Sequence, residues 1–278
     1  MGEQENLILK LGETGVIQED NLSSSIFRNV YRRAGNLAAS IVEAQMKQES
    51  SKALAYQQPD NIITFVGRRG TGKSSSMLSF MEELKKVKRL SKLREIGNAE
   101  TDSNEAYKDQ NGEIQFIGLE WIDASTLEKG EDIFEMLLAK ILGEILEYDT
   151  ANRALKPQEE YRVRELHRRI GSIYKKVLNL KRRNGKLYLE GESPISALRE
   201  LARSTDLRKE FEDLIQEYVS LKREGEGRYL QYGFLVVAID DVDMNIDNGF
   251  DILEQILRYL KVKGLLVLLS VDYEQMLK

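Results

Sequence analysis

Eight residues, Gly67-Arg68-Arg69-Gly70-Thr71-Gly72-Lys73-Ser74, follow a short apolar run over 62–66 and precede a helical pattern. They fit the template G-x-x-x-x-G-K-[ST], in which a strand turns into a helix around an anion. Glycines let the backbone turn tightly and bring its N–H groups near phosphate oxygens. A helix starting near Lys73 points its positive end at the same anion. In that chemistry the stretch Gly67, Arg68, Arg69, Gly70, Thr71, Gly72, Lys73, Ser74 and Ser75 cradles a nucleotide's phosphates. Lys73 reaches the β- and γ-phosphates, and the Ser74 hydroxyl ligates Mg2+.

A second stretch, GFLVVAIDDVDMN over 233–245, supplies the acids. Four or more apolar residues followed by an Asp is the pattern of the acidic strand that completes such a site. Asp240 is expected to hold Mg2+ opposite Ser74, directly or through water. Asp241 stands where many ATPases carry the Glu that orients or deprotonates the attacking water, and Asp243 lies just beyond. A further apolar strand, 265–269, ends at Ser270-Val271-Asp272. A polar residue at its tip would face the γ-phosphate, and both Ser270 and Asp272 qualify.

The elements that must position these groups alternate. Strands are expected near 62–66, 114–122, 234–239 and 265–269, joined by helices, which reads as an α/β fold with a parallel sheet. The acidic strand comes third in the chain, so another strand is expected between it and the strand before the phosphate loop. A long helix over 23–57 precedes the core, with Ile26, Val30, Ala34, Leu37, Ile41 and Ala44 as its apolar stripe. The core is read in two parts, 59–149 and 231–278, after an N-terminal arm and helix over 1–58. A helical insertion over 150–230 separates the two parts. Within the insertion a helix over 158–183 is basic, and the stretch 156–186 could touch nucleic-acid phosphates. A solvated or protein-facing helix is the plainer reading. His167 in that stripe is expected at the surface, and Trp121 in the core.

Composition narrows the classes. The 278 residues include no cysteine and one histidine, which excludes disulfides, thiolate metal sites and catalytic His pairs. The net charge is −5, so the chain as a whole is no basic nucleic-acid binder. No apolar run approaches a membrane span, and no secretory signal opens the chain. A cytoplasmic protein without membrane contact is expected.

GRRGTGKS on a strand-to-helix turn, the Asp-Asp pair of FLVVAIDDVDMN and the following LLVLLSVDYEQM resemble the AAA+ and STAND superclass. They are most similar to bacterial KAP-type and antiphage-defence ATPases, among them the ATPase subunit of an RNA-editing defence system. The resemblance covers roughly residues 60–125 and 232–277. It implies a three-layer P-loop NTPase core of the additional-strand type, with ATP and Mg2+ as ligands, homo-oligomers and an effector protein as partner. In that superclass a fifth strand and a helical lid follow, and the sequence ends before either. An N-terminal portion of a longer protein, completed by an arginine from outside the chain, is therefore expected. No guanine-reading motif occurs, which favours ATP. Two other readings stand beside ATP hydrolysis: a nucleotide-gated switch that recruits an effector, and a DNA-sensing or DNA-loading ATPase.

Overall fold

The computed structural model describes residues 22, 25–50, 60–96, 113–128, 131–151, 157–184, 194–224, 232–245, 249–272 and 274. Residues 1–21 of the expected N-terminal arm lie outside them, as do residues 97–112 and 186–189. Among the described residues, five strands form one parallel sheet. They are β1 (Ile62–Val66), β2 (Ile114–Gly118), β3 (Ile122–Asp123), β4 (Tyr232–Asp240) and β5 (Leu265–Val271). The order is β1-β5-β4-β2, and β3 pairs with β4 beyond the end of β2. β5 thus lies between β1 and β4, as the late position of the acidic strand requires. β5 is buried throughout and β4 from Phe234 onward, which suits their unbroken apolar sequences to the middle of the sheet. The single strand expected near 114–122 is divided into β2 and β3. Leu119 still donates its N–H to the Val236 carbonyl, and pairing resumes when Asp123 comes level with Asp240.

Helices cover both faces. α1 (Arg28–Ser50), α2 (Lys73–Lys86) and α3 (Leu90–Glu95) pack on one, and α4 (Ile133–Ala151), α5 (Pro157–Asn184), α6 (Pro194–Glu224) and α7 (Gly249–Tyr259) on the other. Strand alternation assigns the faces. Leu265, Val267 and Leu269 join the core under α4–α7, while Leu266 and Leu268 join the core under α1–α3. The α5–α6 insertion shares the first of these cores: Leu166, Ile170, Phe211 and Tyr218 belong to one cluster with Leu235 and Val237. Phe134 of α4 meets Phe211 edge-on, with centroids 4.7 Å apart.

Two expectations are corrected here. The sequence suggests a break near Ser204-Thr205-Asp206, yet α6 runs through it unbroken. Each of these residues costs at most about 0.7 kcal/mol in a helix, less than burying Leu207 or Phe211 just beyond contributes. The second correction is the face of α1. Ala34 and Ile41 are buried as expected, but Ile26, Val30, Leu37 and Ala44 are exposed. Tyr31, Ala38, Ala39, Val42 and Met46 take their place inward. Close packing on α3 explains this: a Cβ added to Gly35 would stand 2.4 Å from the Leu93 carbonyl oxygen. Gly35 must therefore face α3, and that approach sets which side of α1 turns inward. No helix among the described residues is long and apolar enough to cross a membrane.

Candidate functional site

The loop from Gly67 to Gly72 leaves β1 and opens α2 at Lys73. The Gly67 N–H donates to the Val271 carbonyl at 3.3 Å, which anchors the loop's start to β5. Gly70 and Gly72 have φ of 78° and 81°, the left-handed region that glycine occupies without strain. Their surroundings differ. A Cβ at Gly70 would meet nothing within 4 Å, whereas one at Gly72 would stand 2.7 Å from the ring of Phe27. Arg68 to Thr71 are exposed, so the loop lies open at the surface. No side chain caps α2. The first N–H groups of a helix lack intrahelical partners, so those of α2 remain available to an anion.

The acids come from the carboxyl ends of three other strands. The Ser74 Oγ donates to Asp240 Oδ1 at 2.9 Å, across the intervening β5. Asp240 is 3% exposed. Its register partner is Asp123, whose own carboxylate accepts hydrogen bonds from the Ser125 N–H and Oγ. Asn245 holds these two strand ends together: its Nδ2 donates to the Ala124 and Leu127 carbonyls, each at 2.9 Å. Asp241 is the one non-glycine residue with positive φ among the described residues, at 52°. A left-handed aspartate at a strand end is a strained turn, and such strain gathers at functional sites. Burial pushes the Asp241 carboxyl above the usual carboxylate range. Asp240, Asp123 and Asp243 push it the same way, and Lys73 opposes them.

The structure separates the two residues at the tip of β5. Asp272, 5% exposed, accepts from the Arg69 N–H at 3.1 Å and from the Glu274 N–H at 3.0 Å. Its own N–H donates to Asp243 Oδ1 at 2.8 Å. Asp272 therefore braces the glycine-rich loop and ties it to the loop after β4. Ser270 is fully buried, level with Phe65, and its Oγ has no partner among the described residues. The Arg68 guanidinium pairs with Glu274 at 2.6 Å in an exposed position.

The donor set fits Mg2+ with a nucleotide. That ion takes one or two protein oxygen ligands and completes its shell with water and phosphate, and Ser74 and Asp240 offer those oxygens. No cluster of three or more acidic or histidine ligands occurs among the described residues. A self-sufficient protein cage is thus not the arrangement. Two contributors escape sequence reasoning. Asp123 ends an apolar strand just as Asp240 does, which is a usable signal; Phe27 against Gly72 has none.

The basic stripe is answered by acids. Arg164 pairs with Glu160, Arg168 with Glu165, Arg169 with Glu165 and Glu217, and Lys176 with Glu210. Hydrogen bonding from Arg168 holds the Glu165 carboxyl down at about 2. Trp121 is half-buried against the core under α1–α3, as expected. In comparisons with known proteins, no family model matches the chain, and no curated protein matches it either.

Proposed function

We propose that this chain binds ATP along Gly67 to Ser75 and hydrolyses its terminal phosphoanhydride bond. The 2.9 Å contact between Ser74 and Asp240 carries the reading. It joins a glycine-turned loop at a helix start to a buried acid two strands away, the pairing that Mg2+–nucleotide chemistry needs. When bound with nucleotide, Mg2+ would be held by Ser74 and Asp240 and would neutralise charge on the β- and γ-oxygens. Lys73 and the free N–H groups of α2 hold the phosphates. Asp241 orients a water and accepts its proton as the water oxygen bonds to the γ-phosphorus. The bond from that phosphorus to the bridging oxygen breaks, and ADP leaves with the electron pair. The wider setting, an oligomeric bacterial ATPase of antiphage defence with an effector partner, rests on the resemblance of the loop and the Asp-Asp strand end.

Isothermal titration of the Lys73→Ala chain tests this. Charged hydrogen bonds are worth up to about 3 kcal/mol, so ATP affinity should fall on the order of 100-fold. Unchanged affinity would sink the proposal. One observation favours a second reading, a nucleotide-gated switch with little turnover. Asp241 is a shorter carboxylate than the Glu that many ATPases carry at this place, so it reaches less far towards a water. Repeated turnover supports hydrolysis, and retention of one unhydrolysed nucleotide per chain supports the switch.

A further inference from the structure

Two cavities have opposite linings. The one between α4 and α5, about 440 Å3, is walled mainly by apolar groups such as Met136, Leu138 and Leu142. His167 in its wall is half-buried with Nε2 covered, which corrects the expectation of a surface residue. The other, about 190 Å3, lies at the amino edge of the sheet. There α1 and α6, from opposite faces, come together around the start of β4 and the turn into β5. No acidic side chain lines it among the described residues, and its polar side chains are Gln45, Gln216, Arg223 and Tyr232.

Two of those side chains have donors to spare. Gln45 is 4% exposed. Its Oε1 accepts the Gly264 N–H at 2.9 Å, while its Nε2 has no partner among the described residues. What the amide still offers is a donor. Arg223 makes no ion pair among the described residues, and burial alone pulls its pKa down. That is the response of a cation taken from water with no acid beside it. Its neighbours on α6 are answered: Arg208 gives two N–H groups to the Arg258 carbonyl, and Lys222 pairs with Glu144. A cation in the last turn of α6 suits the helix dipole, but one serving only the dipole would stay in water. The strand below is shaped to hold it. A Cβ built on Gly233 would stand 2.3 Å from Val219 Cγ1 and 2.9 Å from Arg223 Cδ, with Arg223 Nη1 at 3.6 Å. Glycine at this position lets the arginine stem lie along β4, which keeps the guanidinium at the cavity.

We propose that this cavity binds a small molecule carrying one carboxylate on a short apolar body. A buried spare donor and an unpaired guanidinium, with no acid in the lining, require an anion. The planar arginine fork matches a carboxylate, and one cation balances a single charge better than a phosphate dianion. Met46, Val219 and Phe234 in the wall suit a few carbons beyond the carboxylate. The space is smaller than the roughly 300–1,000 Å3 of pockets for larger ligands, so it is no second nucleotide site. It lies at the opposite end of the strands from the glycine-rich loop, and the proposal does not depend on nucleotide binding.

Butyrate is the probe, titrated into the full chain and followed on its own NMR signals. A Kd on the order of 1 mM is expected for so few atoms. Butyramide, the same shape without the charge, should bind at least about tenfold more weakly. Arg223→Met keeps the stem and removes the fork, and should weaken butyrate by a similar factor. Equal binding of the two probes, or butyrate binding unchanged in Arg223→Met, overturns the proposal. So does equal displacement of butyrate by inorganic phosphate, which would make this a site for anions of any shape. No butyrate binding at about 20 mM, well above the expected Kd, refutes it as well. Thermal unfolding gives an independent arm. Arg223→Met removes a dewatered cation that nothing pairs, so the variant should melt no lower than the wild type. A lower melting point would mean that the guanidinium already has its partner within the fold, and overturns the proposal.

Discussion

The two edges of the sheet bury polar groups to opposite ends. At the amino edge, Asn61 is wholly buried, and its Nδ2 reaches the carbonyls of Leu260, Val262 and Leu265 at 2.8, 3.2 and 3.1 Å. Gln45 there accepts the Gly264 N–H at 2.9 Å. These are neutral amides that clamp the turn from α7 into β5. At the carboxyl edge, Asp123, Asp240, Asp241, Asp243 and Asp272 gather around one loop, beside Lys73 and two left-handed glycines. Hydrogen-bonded neutral amides lower the energy of the fold, although Asn61 Oδ1 and Gln45 Nε2 are buried without a hydrogen-bond partner among the described residues. Like charges crowded at a strained turn raise it, and such crowding gathers at functional sites more than elsewhere. The amino edge thus adds stability, and the carboxyl edge gives some of it up.

The sharpest way to break that contrast is Asp241→Asn. If Asp241 is the base, turnover should fall by about 10²–10⁴ while ATP binding persists, measured by phosphate release and titration on the same sample. Stability should move the other way. A raised carboxyl pKa in the folded state means that the fold favours the protonated form. The residue's contribution is full below the unfolded pKa and is lost as pH rises through the folded one. Asp241→Asn should therefore melt higher than the wild type at neutral pH and equal it below about pH 4. A lower melting point at neutral pH would show that the turn needs the ionised carboxylate.

Asn61→Ala probes the other edge. Leaving buried carbonyls unpaired costs about 1–3 kcal/mol, so denaturant unfolding should shift by that amount with nucleotide affinity unchanged. An equal loss of affinity would erase the distinction between the edges. The smallest effects come from the loop glycines. Gly70→Ala meets only the left-handed strain of about 1–2 kcal/mol. Gly72→Ala adds the overlap with Phe27, and Phe27→Ala in the same chain should recover the added part alone. Equal melting points for the two glycine variants would mean that Phe27 moves away freely.

Much of the carboxyl edge was legible in the sequence, because its signals are local. The glycines of the loop, the helix after Lys73 and the apolar run into Asp240 are consecutive residues whose geometry follows from chain connectivity. The position of the acidic strand in the chain also foretold a strand between it and β1, and β5 occupies that place. Asp123 was less visible, because a short break at 119–121 hides that the strand resumes level with Asp240. Ser270 and Asp272 were inseparable, since where the strand ends, after Val271, decides which of them lies in the sheet and which beyond it.

The amino-acid sequence by itself determined the alternation of strands and helices and the parallel character of the sheet. It also placed a glycine-rich loop between a strand and a helix. Those follow from backbone conformational preference and apolar periodicity within short windows. Tertiary structure decided which face of α1 turns inward, because that depends on how closely Gly35 can approach α3. It decided that the cations of α5 meet acids of α5 and α6, and that Ser74 and Asp240 touch. Each of these outcomes rests on contacts between residues far apart in the chain, where steric fit and charge act only once the sheet has brought them together.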